Sequence, residues 1–204
     1  MAIVNPETRT RTASVVVTDS LLAAALALLE EGDLPALTVR AVATRAGVAP
    51  MGVYSRFDSK GGLLEALFVH GFSNLQAAVQ THPEAHALDR LRTGCLAYRS
   101  FAIAHPHLYH LMFEQMRALD LSQEALGVAR ASFMTLTDRV HSAMAAGELA
   151  EGDSTEVAQQ IWSAMHGAVS LEIAGVHFAA DRETSFEDML DAFFRGLSRS
   201  ASTH

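Results

Sequence analysis

The chain has 204 residues, 50% of them hydrophobic and 19% charged, enough apolar side chain to offset ordering entropy and so to exclude a disordered protein. Its longest purely apolar run, Leu21–Leu29, closes on Glu30 and Glu31, well short of the ~20 residues a membrane span needs. Cys95 is the only cysteine, which excludes an internal disulfide or a thiolate metal cluster and predicts a cytoplasmic setting.

Net charge is −8, but it is unevenly spread. Residues 1–60 carry six basic and six acidic groups, whereas residues 61–204 carry nine basic and seventeen acidic. A neutral head, 1–60, is therefore expected on an acidic body, 61–204. Any phosphate binding must come from local placement of a few cations and not from a broad basic field.

Alanine and leucine supply 59 residues, and no proline follows Pro106, a distribution that favours helix throughout. The apolar spacing of Val15, Leu22, Leu26 and Leu29 predicts a first helix over about 14–31, stopped by Gly32 to Pro35. Thr38 is placed to cap a short helix over 39–46. Gly47 supplies a tight turn, and Pro50 occupies the first turn of a helix ending near Phe57. Asp58 or Ser59 caps a helix over 60–80. Further helices are expected over 83–104, 106–117, 121–146, 155–176 and 186–199, the last opened by a capping box of Ser185 and Asp188. The fold class is all-α, with about nine helices: a three-helix helix-turn-helix head on a helical body.

Within residues 38–60, Ala43 allows close helix approach, Gly47 permits positive φ, and Val53 plugs the small core between two steeply crossing helices. The run Gly47-Val48-Ala49, Val53-Tyr54, Phe57, Ser59-Lys60 and Leu63 resembles the reader-helix signature of the TetR family of bacterial transcriptional repressors, over about residues 10–70. Ala49 departs from it, standing where the family carries a serine or threonine that caps the reader helix and offers a hydroxyl to phosphate.

A helix laid in the major groove offers its first two turns to base edges, here Pro50, Met51, Gly52, Ser55 and Arg56. Arg56 is suited to a bidentate contact with guanine and Met51 to a thymine methyl. The resemblance implies phosphate contacts by Thr38, Tyr54 and Lys60, with Arg9 and Arg11 as an arm reaching the neighbouring groove. Arg45 is a further cationic candidate.

The stretch 155–176 is apolar around nearly its whole circumference, and the last helix carries a wide apolar stripe. Packing both against their symmetry mates predicts a homodimer through Ile161, Ala168, Leu171, Phe186, Met189, Leu190, Phe193, Phe194 and Leu197, with two heads about one DNA turn apart for a pseudo-palindromic operator. Trp162, His166 and Gly167 resemble the C-terminal domain of a TetR subgroup named for a tryptophan-histidine-glycine signature, whose body is presumed to hold an effector. Phe101, Tyr109, Met112, Phe113, Met116, Phe133, Trp162 and Met165 are suited to line an apolar effector chamber, with His110 or His166 as its polar contact.

Two rival readings belong to other classes. His107, His110 and Glu114 share a helical face at i, i+3 and i+7, the seed of a metal-assisted helical enzyme. The uncapped Ala49 and neutral head suit a ligand-binding dimer that has lost DNA binding. The reading adopted is a non-enzymatic, cofactor-free dimeric regulator, a repressor released from operator DNA by a small, mostly apolar effector.

Overall fold

The computed structural model describes residues 6–80 and 86–198, with side chains from residue 16 onward. Among the described residues there are nine helices and no strand: α1 (Pro6–Ala36), α2 (Val39–Arg45), α3 (Pro50–Phe57), α4 (Lys60–Val79), α5 (Ala87–Ala104), α6 (Pro106–Phe113), α7 (Gln123–Ala145), α8 (Ser154–Ile173) and α9 (Arg182–Leu197). This is the all-helical class that the sequence predicts.

Boundaries follow local chemistry. The helix α1 begins at Pro6 and not near Ser14, because no glycine or proline interrupts the sequence between them. It is broken at Asp33, whose φ of 62° and ψ of −177° are non-helical. Thr38 caps α2 by accepting a hydrogen bond from the Ala41 amide at 3.1 Å. Pro50 opens α3, and Ala49 before it makes no side-chain cap. Ser59, the second of the two expected caps, accepts from Gly62 N at 3.0 Å.

Two further expected boundaries are corrected. The last helix opens at Arg182 and not at Phe186: Asp181 accepts from the Thr184 amide at 3.0 Å, so an ordinary aspartate cap acts before the Ser185 box is reached. The helix α6 ends at Phe113 and not Arg117, since the His110 carbonyl accepts both Glu114 N and Gln115 N and the chain turns there. The expected start at Pro83 lies outside the described residues.

The chain forms two compact units, one of Met1–Gly71 with His107–Ala125 and one of Phe72–Pro106 with Leu126–His204. In the first, α2 packs on both α1 and α3, burying Leu21, Leu29, Leu37, Val42, Val53 and Leu63. Here α4 lies so close to α6 that a Cβ on Gly71 would sit 2.6 Å from the Met112 sulfur. Glu30 accepts from Leu108 N at 3.2 Å, and Glu65 accepts from both the amide and the hydroxyl of Ser122.

In the second unit α5 packs on α8 and α8 on α9. Arg99 of α5 makes a two-pronged ion pair with Glu172 of α8, at 2.9 and 2.8 Å, and its guanidinium lies 5.8 Å from the Phe186 ring centre on α9. Arg92, two turns earlier, reaches Glu187 and Asp191 of α9 at 3.1 and 3.0 Å. Glu148 accepts from the first amides of α5, Ala87 N and Leu88 N, a carboxylate at the positive end of the helix dipole. The Arg139 guanidinium donates to the Val79 and Arg90 carbonyls. It occupies the space left by Gly94, where a Cβ would fall 1.9 Å from its Nη1. Burial pushes the neighbouring Cys95 thiol up to about 12, so this sulfur is a core hydrophobe and not a nucleophile.

Two stability outcomes follow. Glu172 is only 8% exposed, so Glu172→Ala strands Arg99 and is expected to cost about 3 kcal/mol in urea unfolding. The double replacement Arg99→Met with Glu172→Leu should recover most of that loss, and failure to do so would point to a requirement beyond charge pairing. Ala49→Ser supplies the missing α3 cap and should raise stability by about 0.5–1 kcal/mol in the same assay.

Candidate functional site

The elbow between α2 and α3 is built from backbone. Gly47 has φ 69°, a conformation costly for residues with a Cβ. Around it Ala46 N bonds to Val42 O, Gly47 N to Thr44 O and Val48 N to Ala43 O. These bonds satisfy the last carbonyls of α2 while the chain reverses.

The helix α3 then divides sharply. Val53 and Phe57 are buried, whereas Met51 is 73% and Tyr54 46% exposed, and Ser55 and Arg56 are exposed beside them. Of the residues expected to read bases or touch phosphate, Met51, Tyr54, Ser55 and Arg56 are thus exposed together on this one short helix, whereas Thr38 stands at the start of α2 and Lys60 at the start of α4. Gly52 is not demanded by packing, since a Cβ there would meet Val48 at an ordinary 3.5 Å. By contrast Gly62, at the start of α4, passes so close to the end of α3 that a Cβ would lie 2.0 Å from the Phe57 carbonyl. The Ser55 hydroxyl donates to Gly52 O at 3.1 Å, leaving its oxygen as an acceptor.

Charges on this unit differ in availability. Thr38, Arg40, Arg56 and Lys60 are exposed, and Arg40, Arg56 and Lys60 make no ion pair among the described residues. Lys60 is the chain's only lysine. Arg45 is different: its Nη2 lies 2.7 Å from Glu31 Oε2 of α1. Arg9 and Arg11 fall within α1, but their side chains lie outside the described residues.

The ten residues expected to contact an effector are divided between the units. In the first, Tyr109 and Met112 are buried, His110 and Phe113 half-buried and Met116 exposed. The Tyr109 and Phe113 rings lie 4.8 Å apart. In the second, Phe101 and Met165 are buried. Trp162 lies between Phe133 and His166, at 6.0 and 5.5 Å between ring centres. His166 Nδ1 is 3.1 Å from the hydroxyl of Tyr98. Tyr98 is not among the residues that the sequence singles out, although it stands three positions before Phe101 on the same helix.

The metal constellation is not assembled. His107 Nδ1 faces Asp33 at 3.5 Å, whereas His110 uses Nδ1 on Glu114 at 3.0 Å and Nε2 on Gln115 at 3.1 Å. Each imidazole has found its own partner, and among the described residues no three ligating groups gather in one place.

Of the residues expected at a dimer face, Ile161, Phe186, Leu190 and Phe194 are 1–5% exposed in the single chain. They belong to its core and have no surface to give a second copy. Ala168, Met189, Phe193 and Leu197 are half-buried and Leu171 is 53% exposed. The helix α8 ends at Ile173 and not at Val176 as expected, because the chain turns at Gly175, whose φ is 71°, so Val176 and the fully exposed Phe178 add apolar surface beyond the helix. No helix among the described residues is long and apolar enough to cross a membrane.

Comparison with known proteins agrees with this geometry. Residues 21–67 match the family described as "Bacterial regulatory proteins, tetR family", and residues 91–193 match "Tetracyclin repressor-like, C-terminal domain". An uncharacterized HTH-type transcriptional regulator of Mycobacterium tuberculosis is 28% identical over 187 residues, covering 91% of this chain and 83% of that protein. A protein of unknown function from Rhodococcus sp. RHA1 superposes with a TM-score of 0.83 at 31% identity, over 90% of this chain and 96% of that one. A bacterial regulatory protein in the tetR family from Rhodococcus RHA1 shares the fold with a TM-score of 0.69 at 20% identity, over 90% and 98%. With one family model over the helix-turn-helix and a second spanning just over half of the chain, this protein belongs to the TetR family of transcriptional regulators.

Proposed function

We propose that the protein binds double-stranded operator DNA as a homodimer in the cytoplasm, with α3 of each copy in the major groove, and represses transcription until a small, mostly apolar effector releases it. The observation that carries this reading is the exposed face of α3, where Met51, Tyr54, Ser55 and Arg56 stand together beyond the Gly47 elbow, with Lys60, which makes no ion pair among the described residues, just after it. A helix presented this way suits the groove, and its few free cations suffice because phosphate contacts add singly. In this reading Pro50 and Gly52 keep the first turn of α3 slim enough for the backbone to come near base edges. Thr38 contacts phosphate from the start of α2, and Arg9 and Arg11 reach the adjacent groove.

The aromatic and thioether side chains of the second unit, with the Tyr98–His166 pair as a polar contact, are suited to an apolar ligand carrying one hydrogen-bonding group. Such a ligand shifts the balance only through its differential affinity for the DNA-incompetent state, typically ~1–3 kcal/mol. Dimerisation is assigned to Leu171, Val176 and Phe178 at the end of α8 with the half-buried Ala168, Met189, Phe193 and Leu197.

Binding to the DNA upstream of the chain's own coding sequence, followed by fluorescence anisotropy against salt, tests the reading. Lys60→Ala should weaken every duplex alike and flatten the log-log salt slope by about 0.9 per head. Tyr54→Phe should also act uniformly. Arg56→Ala should instead cost about 1–3 kcal/mol on the best site and relax choice at one base pair. A wild-type response that is flat in salt would leave no phosphate contacts and favour a dimer without DNA binding.

Leu171→Glu places a charge on the exposed apolar face and should raise the dimer dissociation constant about 30-fold or more. Sedimentation would register the loss as halved mass at unchanged helicity. An undisturbed dimer would remove this face from the assembly.

A further inference from the structure

We propose that Glu31 is a positioning residue that withholds Arg45 from the DNA phosphates, so that each head binds with one cation fewer than its sequence supplies. The inference rests on the DNA-binding reading above. Four observations carry it. Arg45 is the last residue of α2, next to the elbow, on the helix that in this kind of motif crosses the phosphate backbone. Glu31 Oε2 holds its guanidinium at 2.7 Å. Arg40, Arg56 and Lys60, the other described cations of the head, make no ion pair among the described residues, so the pairing singles out one group. Finally, both partners are open to water, at 37% for Arg45 and 61% for Glu31. They border a shallow groove lined by Ser20, Ala23, Ala24, Ala27 and Ala46, where no side chain is longer than serine's. The guanidinium therefore has room to change rotamer.

The pair is not needed to offset buried charge, because neither group is buried. Exposed pairs of this kind contribute little to stability. Its consequence for a polyanion is larger. Bringing DNA to this surface sets a phosphate and the Glu31 carboxylate in competition for one guanidinium, and the loser is left repelling its neighbour. An exposed glutamate is ionised at neutral pH, and hydrogen bonding from Arg45 lowers the Glu31 pKa further, so the competition operates there. The effect is independent of base sequence and tunes affinity, leaving readout by α3 untouched.

The test uses full-length protein and a mixed-sequence duplex, with anisotropy titrations at about 50 and 200 mM salt. Glu31→Gln keeps the side chain's size and removes its charge. It should tighten binding, and it should steepen the loss between the two salt concentrations by about threefold for each additional phosphate engaged, about tenfold for two heads. Introduced into an Arg45→Ala background, the same Glu31→Gln change should relieve only the weak repulsion of a carboxylate near phosphate, giving a much smaller tightening and no steeper salt dependence. Circular dichroism and unfolding of each variant check that the fold is kept. Tightening of undiminished size in the Arg45→Ala background would mean general charge removal and would overturn the proposal, as would wild-type binding with no response to Glu31→Gln. If no variant binds any duplex at any salt concentration, DNA binding itself fails.

Discussion

The left-handed residue at Gly47 is the constraint on which the head depends. A side chain at φ 69° is costly, and without that conformation the Val48 amide could not return to Ala43 O nor α3 leave α2 at the angle that buries Val53 and Phe57. Burial of those two side chains in turn fixes which others face out. Met51, Tyr54, Ser55 and Arg56 reach solvent because their helical neighbours cannot. At the other end of α3 the absent side chain of Gly62 allows α4 to begin against the Phe57 carbonyl. The presented face is thus held at both ends by backbone geometry that tolerates little else, and the residues between are free to vary with whatever they touch.

The body is organised by charge more than its apolar composition suggests. Many of its acids are exposed, but several are built into the structure. Glu172, Glu187 and Asp191 are committed to two arginines of α5, and Glu148, Asp153 and Asp181 satisfy helix N-termini. Arg99 matters most, since one guanidinium joins α8 through a carboxylate and α9 through an aromatic ring. Planar, delocalised and weakly hydrated, arginine fills both roles at once where lysine could not. Desolvating such a pair yields little net stability, but a lone charge left in its place is expensive. A packing that parted this pair would leave a buried charge without its partner.

What can be read from sequence is what acts over a few residues. Thr38, Gly47, Pro50 and Ser59 announce caps and turns because their partners lie within four positions, and all four perform the expected task. The last helix shows the limit of the same logic. Asp181 and Ser185 are both competent caps, and nothing local decides that the earlier one acts. Long-range pairing is not legible at all: Glu172 is one acid among many until α8 is laid against α5, and the Tyr98 hydroxyl meets His166 only through that same packing. The periodicity of His107, His110 and Glu114 is real, yet Asp33 claims the first imidazole from far away in sequence. A wide stripe on α9 likewise signals burial without saying what covers it, and Phe186, Leu190 and Phe194 are covered by their own chain.

Scaffold and surface are therefore separable in this head in a way a sequence motif alone does not express. Val53, Phe57, Gly47 and Gly62 are fixed by the fold's own demands. Among the described residues the side chains of Tyr54, Arg56 and Lys60 make no hydrogen bond or ion pair that would explain their placement, and the Tyr54 ring is 46% exposed. Arg45 lies between these classes: exposed like the second, engaged like the first. Its acid on α1 means that the neutral sum of the head is not a uniform cancellation of charges. Arg40, Arg56 and Lys60 lie on or beside α2 and α3, whereas Glu30, Glu31 and Asp33 all belong to the end of α1. A head with zero net charge can still present locally positive chemistry to a duplex, because a phosphate at contact distance responds to the nearest guanidinium more than to the sum over the whole head.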